Sequence, residues 1–178
     1  HSASRMLTQI RDALKQHEGA LAAANRCIQL AQGMRRADLL VVDVNTTGVL
    51  NLKLGKNTEG VALFQQALKL MQDTKNSNLD LRRELMFNLG EGQRKIGENK
   101  AAKGNLEGAL QIADRQIKQL QQQNRKIPAQ FIQRLIGIRE SAAKAARDSG
   151  DATSAKQHFA EGIKMAEAIK DKESRKRL

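Results

Sequence analysis

A ladder of small side chains recurs along this chain and restricts it to a narrow set of folds. A turn residue is followed five, nine and twelve positions later by residues that are mostly small, with one larger plug. The copies read Gly55, Gly60, Phe64, Ala67, then Gly97, Ala102, Leu106, Ala109, then Gly150, Ala155, Phe159, Gly162. A degenerate copy without the glycine reads Lys15, Ala20, Ala24, Cys27. Each continues into an aliphatic pair: Ile28 and Leu30, Leu68 and Leu70, Leu110 and Ile112, Ile163 and Met165. Lys15, Gly55, Gly97 and Gly150 lie 40, 42 and 53 positions apart. Self-similarity at such periods marks an array of helical repeats.

The spacing is that of a helix-turn-helix hairpin. Glycine suits the end of the first helix, because a residue without Cβ takes the left-handed conformation cheaply. Asn57, Asn99 and Asp151 follow closely and are expected to accept the orphan backbone N–H groups of the second helix. Beyond the turn, residues three and four apart share a face, so the small positions let a paired helix approach closely. Gly48, Gly90 and Ala143, seven residues before the turn glycines, supply matching contact points on the first helix.

These residues resemble the tetratricopeptide repeat, whose pattern runs Leu-Gly, a turn glycine, Ala-x3-Phe and a further alanine. The copy Leu89, Gly90, Gly97, Ala102, Leu106, Ala109, Leu110 carries it most fully. The family's Trp, Tyr and terminal proline are missing, and the long intervals imply extended helices, as in kinesin-light-chain-like repeats and the tetratricopeptide arrays of large signalling proteins; no subfamily is implied. The resemblance implies an all-α fold: a right-handed superhelix of about four stacked antiparallel hairpins, a tetratricopeptide-like α-solenoid. One domain over 1–173 is expected, with repeats near 3–33, 36–74, 78–124 and 129–173 and a basic tail at 174–178. Helices are expected near 3–16, 18–33, 36–54, 57–74, 78–96, 99–124, 129–148 and 151–173. The run Leu39 to Val44 is the one stretch with strand character; with no partner strand, it is expected to be helical. Pro128 suits the first turn of the seventh helix, and the Gln-rich stretch 116–126 is expected to be the projecting end of the sixth.

The chain carries no constellation for catalysis. No nucleophile, base and stabiliser can be assembled from its motifs, so a non-enzymatic role is expected, without cofactor. Cys27 stands alone and is expected to be a small buried hydrophobe. His1, His17 and His158 show no ligand spacing, so no metal site is expected. Leu89-Gly-Glu-Gly lacks the flanking strand and Gly-Lys-Ser/Thr of a phosphate loop. Asn45-Thr46-Thr47 fits a glycosylation sequon but falls within a predicted helix. No apolar run is long enough to span a bilayer. His1 is not an initiator methionine, so the N-terminus is expected to be trimmed; secretion stays open and cytoplasmic residence is the default.

Function is therefore expected on the surface, as a protein-binding scaffold, with a module of a larger protein as one form of it. The resemblance implies that first helices line an inner groove. That places Asn45, Thr46, Val49 and Leu52 there from the second repeat, and Glu84, Phe87, Asn88, Glu91 and Arg94 from the third. From the fourth come Glu140, Ser141, Lys144 and Arg147. Mixed polar and apolar lining suits a peptide, and Arg94, Lys144 and Arg147 suit its carboxylates. The Lys/Asn clamp of chaperone-tail-binding relatives is not reproduced. A net charge of +12 also attracts polyanions, so association with nucleic acid is the alternative. Few aromatics, four Phe and no Tyr or Trp, weaken it for lack of a stacking platform. The densest basic patch, Arg175-Lys176-Arg177, is expected to be a solvated helix end.

Overall fold

A computed structural model describes residues 1–174. Eight helices follow in order: α1 Ser2–Ala13, α2 His17–Gly33, α3 Ala37–Lys53, α4 Asn57–Asp73, α5 Leu79–Lys95, α6 Asn99–Gln122, α7 Ala129–Asp148 and α8 Ala152–Ser174. There is no strand among the described residues, and Leu39 to Val44 lie inside α3. The tail residues Arg175, Lys176 and Arg177 fall outside the described part.

The turns explain the ladder. Gly55, Gly97 and Gly150 take φ of +76°, +84° and +86°, and Lys15, the degenerate counterpart, takes +57°. All four hairpin turns are thus left-handed, with glycine at three of them as the backbone requires. The connections between hairpins use the same conformation without glycine, at Arg35, Lys75 and Asn124.

Capping differs from expectation at two of three sites. Asp151 accepts from the backbone N–H of Ser154 at 2.9 Å and so caps α8. Asn57 and Asn99 instead fall one position inside their helices, where Lys56 and Glu98 hold the cap position without side-chain bonds. Asn99 donates to the Asp148 carbonyl at 3.3 Å. Asn78 caps α5 by accepting from Leu81 at 3.0 Å. Pro128 stands just ahead of α7, extended at φ −62° and ψ 140°, and its carbonyl accepts from Phe131 at 3.0 Å.

The chain divides into two compact units, His1–Gly97 and Glu98–Leu178. In the first, α1 to α5 pack serially, each helix on the next. Its main core gathers Val41, Val44, Val61, Phe64, Ala67, Met71, Leu85 and Leu89, while Ala20, Ala24 and Leu50 form a second cluster. The small residues allow close helix approach. A Cβ on Gly48 would lie 2.6 Å from the ring of Phe64, and one on Gly60 would lie 2.8 Å from Leu52. In the second unit, α7 packs on both α6 and α8. Leu106, Ala109 and Leu110 of α6 and Leu135, Ile138, Ala142 and Ala146 of α7 are among its buried residues.

Candidate partner-binding faces

In the first unit, α3 and α5 place two asparagines against each other. Asn88 donates its amide to Asn45 Oδ1 at 2.9 Å, and Asn45 donates onward to Glu84 Oε1 at 3.2 Å. Asn45 is buried, which also closes the glycosylation sequon sterically; Asn88 and Glu84 are half-buried. Thr46 turns its hydroxyl back to the Val42 carbonyl. Val49 and Leu52 pack on the main core. Leu52 fills the seam beside Gly60 and Gly92, so its side chain serves packing between helices. Phe87, Glu91 and Arg94 are half-buried on α5, and Arg94 pairs with Glu91 at 3.3 Å. Asn45, Asn88 and Glu84 are thus brought into one network, and the Glu91–Arg94 pair stands apart from it.

In the second unit, Lys144 pairs with Glu140 at 2.6 Å one turn away on α7, which lowers the Glu140 carboxyl below its ordinary range. Arg147 contacts neighbouring Asp148 at 2.8 Å, and Ser141 is half-buried. All three cations expected to grip carboxylates therefore already hold an acid of their own helix. Solvent-accessible pairs such as Lys144–Glu140 and Arg147–Asp148 contribute about 0.2–1 kcal/mol each, so their exchange for an incoming carboxylate is cheap.

A polar centre between α1, α2 and α3 was not expected. Asp43 is buried, yet Arg5 Nε donates to its Oδ1 at 2.7 Å and His1 Nε2 lies 2.5 Å from Oδ2. Burial pushes the carboxyl up against the pull of Arg5. Beside it opens a recess of about 160 Å³, lined by Arg5, Thr8, Gln9, Ala24, Cys27 and Asp43, among others. Cys27 is buried as expected, and burial followed by the Asp43 charge raises its thiol. His1, Cys27 and Asp43 bring donor atoms within 4.8 Å of one another, although His1 showed no ligand spacing in sequence. Both Asp43 oxygens are already engaged, Oδ1 by the Arg5 guanidinium and Oδ2 by the His1 imidazole. The signal available in sequence was Asp43 itself, an acid within an apolar run, because buried acids are rare unless paired.

Comparison with known proteins bears on the fold. No protein-family model matches the sequence, and no curated relative matches it either. Solved structures do match. BtubC (BKLC) from P. vanneervenii superposes with a TM-score of 0.78 at 15% identity, over 94% of this chain and 63% of its own. The apo form of RapI gives 0.75 at 16% identity, over 96% of this chain and 57% of its own. A putative kinesin light chain of Podospora anserina, with nearly identical TPR-like repeats, gives 0.68 at 14% identity, over 94% and 75%. The chain therefore spans about three fifths of the length of the first two. The fold is that of a tetratricopeptide-like array of helical hairpins, as the ladder implied. No helix among the described residues is long and apolar enough to cross a membrane.

Proposed function

We propose that the protein is a non-catalytic scaffold that binds a peptide or partner segment along the first-helix faces of its hairpins. The observation carrying this is the Asn45–Asn88 amide pair joining consecutive first helices. It leaves the half-buried Asn88 beside Phe87, one turn from the Glu91–Arg94 pair. An amide offers both a donor and an acceptor, which an extended backbone needs, and Phe87 offers an apolar anchor. Lys144 and Arg147 extend the preference toward acidic ligands on the second unit. Val49 and Leu52 support the face from behind.

The test is an array of immobilised peptides graded in acidity, probed with the chain and with the Arg94→Glu, Lys144→Glu, Arg147→Glu triple variant. On a peptide held by the first unit, the lost Arg94 contact of about 0.5–1 kcal/mol weakens binding roughly two- to fivefold; on one held by the second unit, loss of Lys144 and Arg147 weakens it roughly five- to thirtyfold. Unchanged binding rejects the face. The net charge of +12 motivates the second reading, association with nucleic acid. It requires binding to duplex or single strands that falls steeply between low and moderate salt with little sequence preference.

A further inference from the structure

Between Asp114 and Glu140 the chain carries six cations and no acid, its longest stretch without a carboxylate. The stretch covers the last two turns of α6, the turn after it and the first half of α7, all within the second unit. α6 ends in a closed turn. Asn124 takes φ +51°, its N–H donates to the Gln121 carbonyl at 3.0 Å, and the N–H of Arg125 donates to the Leu120 carbonyl at 2.8 Å. Those two bonds satisfy carbonyls that a helix end leaves open, so the backbone leading into Arg125 and Lys126 is held in one shape. Every residue from Gln121 to Lys126 is exposed.

Two of the six cations are engaged, Arg139 with Glu161 and Arg134 with a neighbour of its own. The other four, Arg115, Lys118, Arg125 and Lys126, are exposed and form no ion pair among the described residues. Further along α7, by contrast, Lys144 holds Glu140 and Arg147 holds Asp148. On α6, Arg115, Lys118, Gln119 and Gln122 are all exposed and stand three or four residues apart, so they share one outward face. A helix C-terminus attracts cations at its end through its own dipole. That accounts for Arg125 and Lys126 but not for Arg115 and Lys118, which lie before the last turn of α6.

We infer that this face of α6 and the turn after it bind a nucleic-acid duplex through its phosphate backbone. The inference rests on the nucleic-acid reading above, not on the peptide face, and gives that reading a place in the fold. From Arg115 to Lys126 the cations extend over roughly 15 Å, and a duplex presents one phosphate charge per about 1.7 Å of its axis, so several phosphates face four cations. Guanidinium forks match phosphate oxygens, and the amides of Gln119, Gln122, Gln123 and Asn124 supply donors for phosphate and sugar oxygens beside them. Other polyanions fit less well. None of the exposed large hydrophobic residues lies between Arg115 and Arg139, so the face has no wedge to enter a bilayer. The one aromatic of the stretch, Phe131, is half-buried, so single-stranded bases find no stacking platform. An acidic peptide needs a groove for its backbone, whereas this is an outward helix face and an exposed turn.

The experiment is fluorescence anisotropy of a labelled mixed-sequence duplex titrated with the chain and two fourfold variants, between about 50 and 200 mM salt. The α6 variant combines Arg115→Gln, Lys118→Gln, Arg125→Gln and Lys126→Gln. The control combines Arg26→Gln, Lys56→Gln, Lys69→Gln and Arg82→Gln, which removes the same charge from exposed positions of the first unit. Four phosphate contacts contribute about −3.6 to the slope of log affinity against log salt, or roughly 150-fold over that range. The α6 variant is expected to lose about that much slope and the control to keep it. Equal loss in both variants overturns the inference and leaves the nucleic-acid reading standing, since net charge alone then drives binding. A chain that binds no duplex at low salt overturns both. Tighter binding of a single strand than of the duplex also overturns the inference. So does an α6 variant that keeps the duplex but loses phosphatidylserine vesicles, since that identifies a membrane face. Circular dichroism checks helicity, and Lys118→Gln with Lys126→Gln repeats the test at half the slope change if the fourfold variant is less helical.

Discussion

The hairpins α1/α2 and α3/α4 share one ladder and fill it in opposite ways. In the second hairpin a glycine on the first helix, Gly48, receives the largest plug, Phe64, and the space is closed by aromatic carbon. In the first, the same two positions are Thr8 and Ala24. Neither fills the gap, and a recess remains beside Cys27 with Asp43, Arg5 and Thr8 on its wall. Equal spacing thus guarantees equal helix positions but not equal interiors: volume at two matched sites decides whether a hairpin is dry or polar.

The sharpest way to break this contrast is to remove the plug. Phe64→Ala is expected to cost about 3–5 kcal/mol in a chemical denaturation experiment, because a fully buried ring leaves a cavity that helices held by close contacts cannot collapse. Gly48→Ala is expected to cost about 1–3 kcal/mol through overpacking against the ring. The two substitutions share one space, so the double variant is expected to cost less than their sum. Additivity within about 0.3 kcal/mol shows that the glycine and the ring are not coupled.

The corresponding test of the first hairpin is Asp43→Ala. It strands the Arg5 guanidinium without its carboxylate, and removing one partner of a buried pair costs about 3–5 kcal/mol when both charges are enclosed. The Arg5 side chain is 33% exposed, so solvent screening reduces the expected loss to about 2 kcal/mol. Adding Arg5→Met to Asp43→Ala is expected to recover part of that loss, since an apolar pair has no stranded charge. A double variant no more stable than Asp43→Ala assigns the loss to packing.

Turn chemistry gives a smaller pair of opposite effects. Gly55→Ala places a Cβ at φ +76° and is expected to destabilise by roughly 1–2 kcal/mol. Gly104→Ala, inside α6 where an added Cβ meets nothing within 4 Å, is expected to stabilise by about 1 kcal/mol. Thermal unfolding of both variants reads the difference in sign, and a shift in the same direction for both removes the backbone explanation.

What was legible in the sequence follows from which forces act locally. The turn glycines and the small-residue stripes are visible because a left-handed backbone and a close helix crossing each demand one residue type at one spacing. Gly55 with Gly60, and Gly48 with Phe64, reveal the hairpin before any coordinates. Arg35 and Lys75 adopt the same left-handed turn without glycine, so nothing in residue type marks them, whereas Asn124 is of a type that favours it. The Asp43 centre was hidden for a different reason: its members come from the chain start, α1, α2 and α3, and no short-range spacing connects His1, Arg5, Cys27 and Asp43. Asn45 was expected on an open face, and its placement at 4% exposure depends on Asn88 and Glu84 from the next first helix. Side-chain pairing across helices decided that burial, and periodicity within one helix does not report it.

Acid titration is expected to move the two units in opposite directions, though by the least. In the second unit, Lys103 at 2.6 Å and the capping bonds from Ser154 hold the Asp151 carboxyl well below its ordinary value of 3.8. Below the unfolded value the unfolded chain binds the proton first, so this contribution is complete above about pH 4–5 and is lost as pH falls toward the lower folded value. In the first unit, burial raises the Asp43 carboxyl above 3.8. Here the folded state holds the proton longer, so the contribution is largest below 3.8 and declines as pH rises through the folded value. Hydrogen exchange followed separately in α3 and α8 between about pH 3 and pH 6, corrected for intrinsic rates, is expected to show protection falling toward acid in α8 and not in α3. Asp151→Asn is expected to flatten the α8 profile alone and Asp43→Asn the α3 profile alone. If Asp151→Asn leaves the α8 profile unchanged, the Lys103 pair contributes nothing to the cap, and the difference between the units rests on burial of Asp43 only.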